Sequence, residues 1–289
     1  MKRFKILLVL FMAFMFTGCD FIKVDNMEDI DIITTSYPLE FVLTTLYGEH
    51  ATINSIYPDG VDTYTFTLSD DNLKSFSKED LFVYVSFGRD KDIARNLLNK
   101  NKDMLMIDGS LGMKPDYIDE LWLNPSNMLM VSLNIRNGLT EYINNSYLIK
   151  EIDEKYEELK LKLSMLDAEI KLTAENSTSN IIVTGNKSLN YLKKYGFTII
   201  SLDDDNPALE KTIQEVTEMA KLSKIKYIFT LENSPENEAV KLLLENNSNL
   251  KELKLKRLDS ITDEERSSGV DYFTLMDYNI EQIKKETYR

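Results

Sequence analysis

Ser146-Tyr-Leu-Ile-Lys-Glu-Ile-Asp-Glu-Lys-Tyr-Glu-Glu-Leu-Lys-Leu-Lys-Leu-Ser-Met-Leu-Asp-Ala-Glu-Ile-Lys-Leu-Thr-Ala174 is the stretch on which the fold turns. It contains neither Gly nor Pro, and Leu148, Ile152, Tyr156, Leu159, Leu163 and Leu166 recur at spacings of three or four. That period is the signature of one face of an α-helix. At 1.5 Å per residue such a helix runs roughly 40 Å, about the width of a whole small domain. A coiled coil shares the signature, but the apolar spacing is loose and covers barely three heptads. The better reading is a single helix bridging two lobes, over residues 146–175.

The sequence on either side supports that reading. Before it, short β-branched or apolar runs at 31–36, 51–56, 81–85 and 104–107 alternate with helical patterns at 39–47, 70–77 and 90–99. Ser69 stands where a helix N-cap belongs, and Pro125 opens a further helical stretch to about 143. After it the alternation restarts, with strands at 181–184, 197–202, 225–231 and 253–258. Helices fall between them at 187–195, 207–222 and 236–246, and a last one begins near Asp271. Strands alternating with helices indicate parallel sheets. The fold class predicted is therefore α/β: two parallel-sheet lobes, 31–145 and 176–289, joined by one long helix.

The chain begins with a different kind of segment. Met1-Lys-Arg-Phe-Lys5 is followed by eleven apolar residues at 6–16 and then by Thr17-Gly18-Cys19. A basic start, a short apolar run and small residues before a cut are the three parts of an export signal. Eleven residues are too few for a membrane-spanning helix, which needs about 20. Phe16-Thr17-Gly18-Cys19 resembles the bacterial lipobox, with Phe16 where Leu is usual. That resemblance implies a signal peptide at 1–18, lipidation of Cys19 and an acidic tether at 19–30. The protein it implies is anchored by lipid to the outside of a bacterial membrane. Cys19 is the only cysteine, so no intrachain disulfide can form.

Composition narrows the function. Removal of residues 1–18, with Lys2, Arg3 and Lys5, takes the formal net charge from −14 to −17. An acidic body lacks the clustered Lys and Arg of a nucleic-acid footprint. His50 is the only histidine, which argues against a histidine-built centre and reads as an exposed turn residue. No Ser-His-Asp set, Cys-His pair or glycine-rich phosphate loop suggests an enzyme. Trp122 reads as a core anchor. Asp203-Asp-Asp205 lacks the spacing of a calcium loop and reads as a solvated turn.

Several segments, in order, resemble the substrate-binding lipoproteins of zinc and manganese ABC importers. They are Ile33-Thr-Thr-Ser-Tyr-Pro38, Ser55-Ile-Tyr-Pro-Asp-Gly-Val-Asp62, Asp80-Leu-Phe-Val-Tyr84, Leu121-Trp-Leu-Asn-Pro125, Leu258-Asp-Ser-Ile261 and Asp271-Tyr-Phe-Thr-Leu-Met-Asp-Tyr-Asn279. The resemblance implies a cleft between the lobes that holds a divalent cation for a membrane permease, with no covalent chemistry. By motif position the family's four metal ligands fall on Tyr64, Glu120, Gly185 and Asp259, and only Asp259 keeps a usual ligand type. Asn186, beside the vacant Gly185 position, reads as an ordinary loop amide. Zinc favours imidazole and thiolate. Two carboxylates and a phenol suit manganese, iron or another small polar or cationic solute better. The alternative is a degenerate member without metal cargo, serving as a surface interaction or adhesion lipoprotein.

Overall fold

A computed structural model describes residues 27–289. The export signal, Cys19 and most of the tether lie outside the described residues. The end of the tether is folded rather than loose: Met27 is buried, its carbonyl accepts a hydrogen bond from the Tyr47 hydroxyl, and the first strand already begins at Ile30.

The N-terminal lobe is built from β1 (Ile30–Thr34), α1 (Tyr37–Tyr47), β2 (Ala51–Ser55), α2 (Asp70–Phe76), β3 (Leu81–Tyr84), α3 (Asp90–Lys100) and β4 (Leu105–Asp108). A single turn, α4 (Glu120–Leu123), leads into α5 (Pro125–Tyr142). All four strands are parallel, in the order β2-β1-β3-β4. The central strands are apolar on both faces, with Ile32, Leu81, Phe82 and Val83 inaccessible, because helices cover both sides of the sheet. Edge strand β2 instead alternates half-buried with exposed residues. Ser69 caps α2 through a reciprocal capping box with Asn72, and Asn124 caps α5 just ahead of Pro125.

Helix α6 (Ser146–Glu175) follows, 30 residues and about 45 Å long. The C-terminal lobe comprises β5 (Ile181–Thr184), a 3-10 helix (Asn190–Tyr195), β6 (Thr198–Ser201), α7 (Leu209–Lys221), β7 (Tyr227–Leu231), α8 (Glu238–Asn246), β8 (Lys251–Leu255), α9 (Asp263–Ser267) and α10 (Tyr272–Thr287). Its sheet, β6-β5-β7-β8, is also parallel and repeats the strand order of the first.

Two elements differ from the sequence reading. The helix expected at 187–195 is a short 3-10 segment, confined between the Asn186 turn and Gly196, whose φ of +105° ends it. The strand expected to reach 258 stops at Leu255. Leu258 takes a left-handed backbone, φ +68°, which no strand can accommodate.

Every apolar residue on which the α6 reading rested is buried, and Ile170 extends the stripe. The stripe belongs to one continuous core that includes Leu39 and Leu81 of the first lobe and Ile182 and Phe229 of the second. Helix α10 closes the structure by stacking Tyr272 on Phe41 of α1, with ring centres 5.5 Å apart. His50 is half-buried rather than exposed, its Nε2 lying 3.2 Å from Glu151 of α6.

Because one core serves both lobes, urea unfolding of the soluble body is expected to show a single cooperative transition. Leu159→Ala should lower its free energy by about 2–5 kcal/mol. A separate early transition of either lobe would contradict the shared core.

Candidate functional site

In an open parallel sheet, the crevice beyond the carboxyl ends of the strands, where strand order reverses, is the usual place for a ligand. The reversals here lie between β1 and β3 and between β5 and β7. Loops following the strands of both sheets line one recess of about 380 Å³ between the lobes. The loop after β2 contributes Asp62 and Tyr64, and the segment before α4 contributes Tyr117 and Asp119. From the second lobe come Asp203 and Arg257.

Arg257 is the centre of this cluster and is only 4% exposed. Its Nε and Nη2 donate to the two carboxylate oxygens of Asp259 at 2.8 and 2.7 Å. Nη2 also donates to Asp62 Oδ1 at 2.9 Å, and Nη1 to the Asn233 carbonyl at 2.8 Å. The guanidinium lies 4.4 Å from the centre of the Tyr64 ring, a cation–π distance. Burial works against its charge, but hydrogen bonds and attraction from Asp259 and Asp62 outweigh burial and raise its pKa. Burial likewise opposes ionisation of Asp62, yet bonds from Arg257, Thr65 and the Tyr64 amide hold its carboxyl below the usual range.

The remaining partners knit the lobes together. The Thr63 hydroxyl donates to Asp259. The Tyr64 hydroxyl donates to Asp119 Oδ1 at 3.1 Å, and Ser188 of the opposite lobe donates to Asp119 Oδ2 at 3.2 Å. Trp122 gives its indole N–H to the Arg257 carbonyl at 2.9 Å, so it is an interlobe pin as well as a core residue. Asp203 is buried and accepts a hydrogen bond from Tyr117, which corrects its reading as part of a solvated turn.

Of the four family positions, the structure brings together Tyr64 and Asp259, with Arg257 between them. Tyr64 is a poor metal ligand: desolvation, and then the charge of Asp119, to which its hydroxyl donates, raise its pKa and keep the phenol protonated, although the residue as a whole is 43% exposed. Asp259 has both oxygens committed to Arg257. Glu120 does not join them. It opens α4 and lines a different recess with Asp116, Asn127 and Lys193, where burial and then Asp116 raise its pKa to about 6. One residue earlier in the chain, about 100° around a helical turn, Asp119 faces the cleft instead. Gly185 offers only backbone, its carbonyl accepting from Asn237 at 2.9 Å, and a Cβ there would meet Thr230 and Val240 at 3.4 Å. Asn186 caps its own turn by accepting from the Ser188 amide.

A tetrahedral zinc site does not fit this donor set. Among the described residues no group of three or more His, Cys, Asp or Glu is disposed to hold one ion. Between Tyr64 and Asp259, the two family positions that do meet, stands the Arg257 guanidinium. Sequence reasoning missed Arg257, Asp62 and Asp119. The first carries no local signal beyond standing two residues before Asp259 at the end of a strand.

Two parallel α/β lobes braced by one long helix, with strand ends facing a common cleft, define a two-lobed, helix-braced architecture. The profile of the family described as zinc-uptake complex component A, periplasmic, matches residues 32–286, and the chain belongs to that family. The zinc-binding lipoprotein AdcA of Streptococcus pneumoniae is 24% identical over 99% of this chain, which spans 61% of AdcA's own length. The manganese ABC transporter substrate-binding lipoprotein PsaA of Streptococcus pneumoniae is 25% identical over 98% of both chains. The Zn(II)-bound ZnuA-like domain of Streptococcus pneumoniae AdcA has the same fold, with a TM-score of 0.74 at 22% identity. The match covers 90% of this chain and all of that domain.

The Asp119 carboxyl is pushed up to about 6, chiefly by burial, against the attraction of Arg257. A folded-state pKa above the unfolded value means stability that is complete at pH values below the unfolded one and is lost as pH rises through about 6. Asp119→Asn should remove that loss, on the order of 2–3 kcal/mol. Urea unfolding at pH 4.5 and 7.5 is the measurement. An equal pH response in both proteins would refute the assignment.

Proposed function

We propose that this protein is the extracytoplasmic solute-binding component of an ABC importer of the zinc and manganese class. In this reading it captures a small cationic solute between its lobes and presents it to a membrane permease. The observation that carries the proposal is the convergence of carboxylates from both lobes on one cleft at the carboxyl ends of two matched sheets. Asp62 and Asp119 come from one side, and Asp203, Asp204 and Glu236 from the other, with Asp259 behind Arg257. These carboxylates outnumber the one lining cation, Arg257, and a cleft of net negative charge concentrates cations. Manganese or iron fits these oxygen donors better than zinc. Family membership supports the importer class, and the relatives named as lipoproteins support an anchor at Cys19. No covalent step belongs to this role: the protein binds, encloses and releases.

The rigid core has a functional corollary. Since α6 buries one face against both lobes, release in this reading comes from local movement of the cleft loops rather than from wide hinging.

Cross-linking in membranes that carry the full-length protein, followed by mass spectrometry, is expected to capture the membrane subunit of an ABC permease. Recovery of surface proteins alone would overturn the reading. Cys19→Ala should move the protein from the membrane to the soluble fraction. Continued membrane retention of that variant would count against the lipid anchor.

A further inference from the structure

This inference rests on the solute-binding reading and concerns what fills the cleft in the absence of cargo. A metal shared by two lobes does two jobs: it neutralises carboxylates brought together from both sides, and it ties those sides to one another. In this protein both jobs are already done by a side chain. Arg257 satisfies both oxygens of Asp259 from its own lobe and reaches across to Asp62 of the other. We propose that Arg257 is a resident cation of the cleft, competing with divalent cargo for the carboxylates of Asp62 and Asp259.

Three observations support the competition. The first is donor exhaustion: the carboxylate oxygens a metal would need accept from Nε and Nη2 at 2.7–2.9 Å, a charge-assisted, fork-shaped pairing. The second is anchoring. Nη1 is tied to the Asn233 carbonyl, and the Arg257 backbone carbonyl holds the Trp122 indole, so a modest rotation of the side chain does not clear the site. The third is like charge: a metal bound beside a buried guanidinium meets repulsion that burial leaves poorly screened. Arginine keeps its charge at every accessible pH, so the competition cannot be switched off by titration.

Removing the guanidinium leaves Asp62 and Asp259, whose oxygens converge on its Nη2, without their compensating charge, and carboxylate oxygens are donors that suit manganese. Mn²⁺ alone is therefore the probe, with free ion followed by its paramagnetic resonance signal. Arg257→Gln in the soluble body (residues 20–289) is expected to bind Mn²⁺ about a hundredfold more tightly than the wild type, the scale set by losing one close charge-pair competitor. Arg257→Lys keeps the charge and should stay near the wild-type affinity. Equal affinity in the wild type and Arg257→Gln, or tighter binding by the wild type, overturns the proposal. If Arg257→Gln does not fold alone, Mn²⁺ should restore its near-ultraviolet circular dichroism. No recovery at saturating Mn²⁺ overturns the proposal equally. Permease capture by the wild type is a separate readout. Capture with unchanged Mn²⁺ affinity defeats the competition and keeps the transport reading, while gained affinity without capture does the reverse.

Discussion

A buried charge is the constraint on which the cleft depends. Taking a guanidinium out of water costs several kcal/mol unless its partners are in place, and removing one partner of such a pair costs roughly 3–5 kcal/mol. At 4% exposure, Arg257 therefore dictates much of its surroundings. Asp259 must lie two residues away with both oxygens turned back, which the left-handed backbone at Leu258 accompanies. The loop after β2 must reach over to supply Asp62 and the face of Tyr64. Strand β8 must stop early enough to free the side chain. The polar contacts that close the cleft between the lobes follow from these demands.

That closure sits on a frame that does not need it. Helix α6 and the apolar core shared by both lobes fix the two sheets in space, while interlobe polar contacts such as Trp122 to the Arg257 carbonyl set the fine register of the cleft. Apolar burial scales with area and is indifferent to orientation. Hydrogen bonds and ion pairs are directional, and they choose among the small adjustments that the frame allows. The frame belongs to the family as a whole.

The division explains what could be read in advance. The α6 stripe, the strand–helix alternation, the Ser69 cap and the Pro125 helix start are local patterns, and the structure agrees with them because burial and capping act over a few residues. Tyr64 and Asp259 were legible through motif position. Arg257 was not, since nothing in Leu253-Lys-Leu-Lys-Arg257 distinguishes one basic residue of an edge-strand pattern from its neighbours. Its importance comes from Asp62, 195 residues earlier in sequence. The choice of Asp119 over Glu120 was equally hidden, because it depends on where a four-residue helix begins.

The repeated strand order has a further consequence, which concerns how such a protein changes. Six of the eight strands, all but β1 and β3, deliver their chains to the cleft from their carboxyl ends, and the pairing registers lie upstream of the loops that line it. Substitutions at positions such as 64, 185 or 257 thus fall beyond the last paired residue of a strand. Side chains in these loops can change while the paired strands that carry them stay intact. Specificity and foldability are then separate traits, free to drift at different rates.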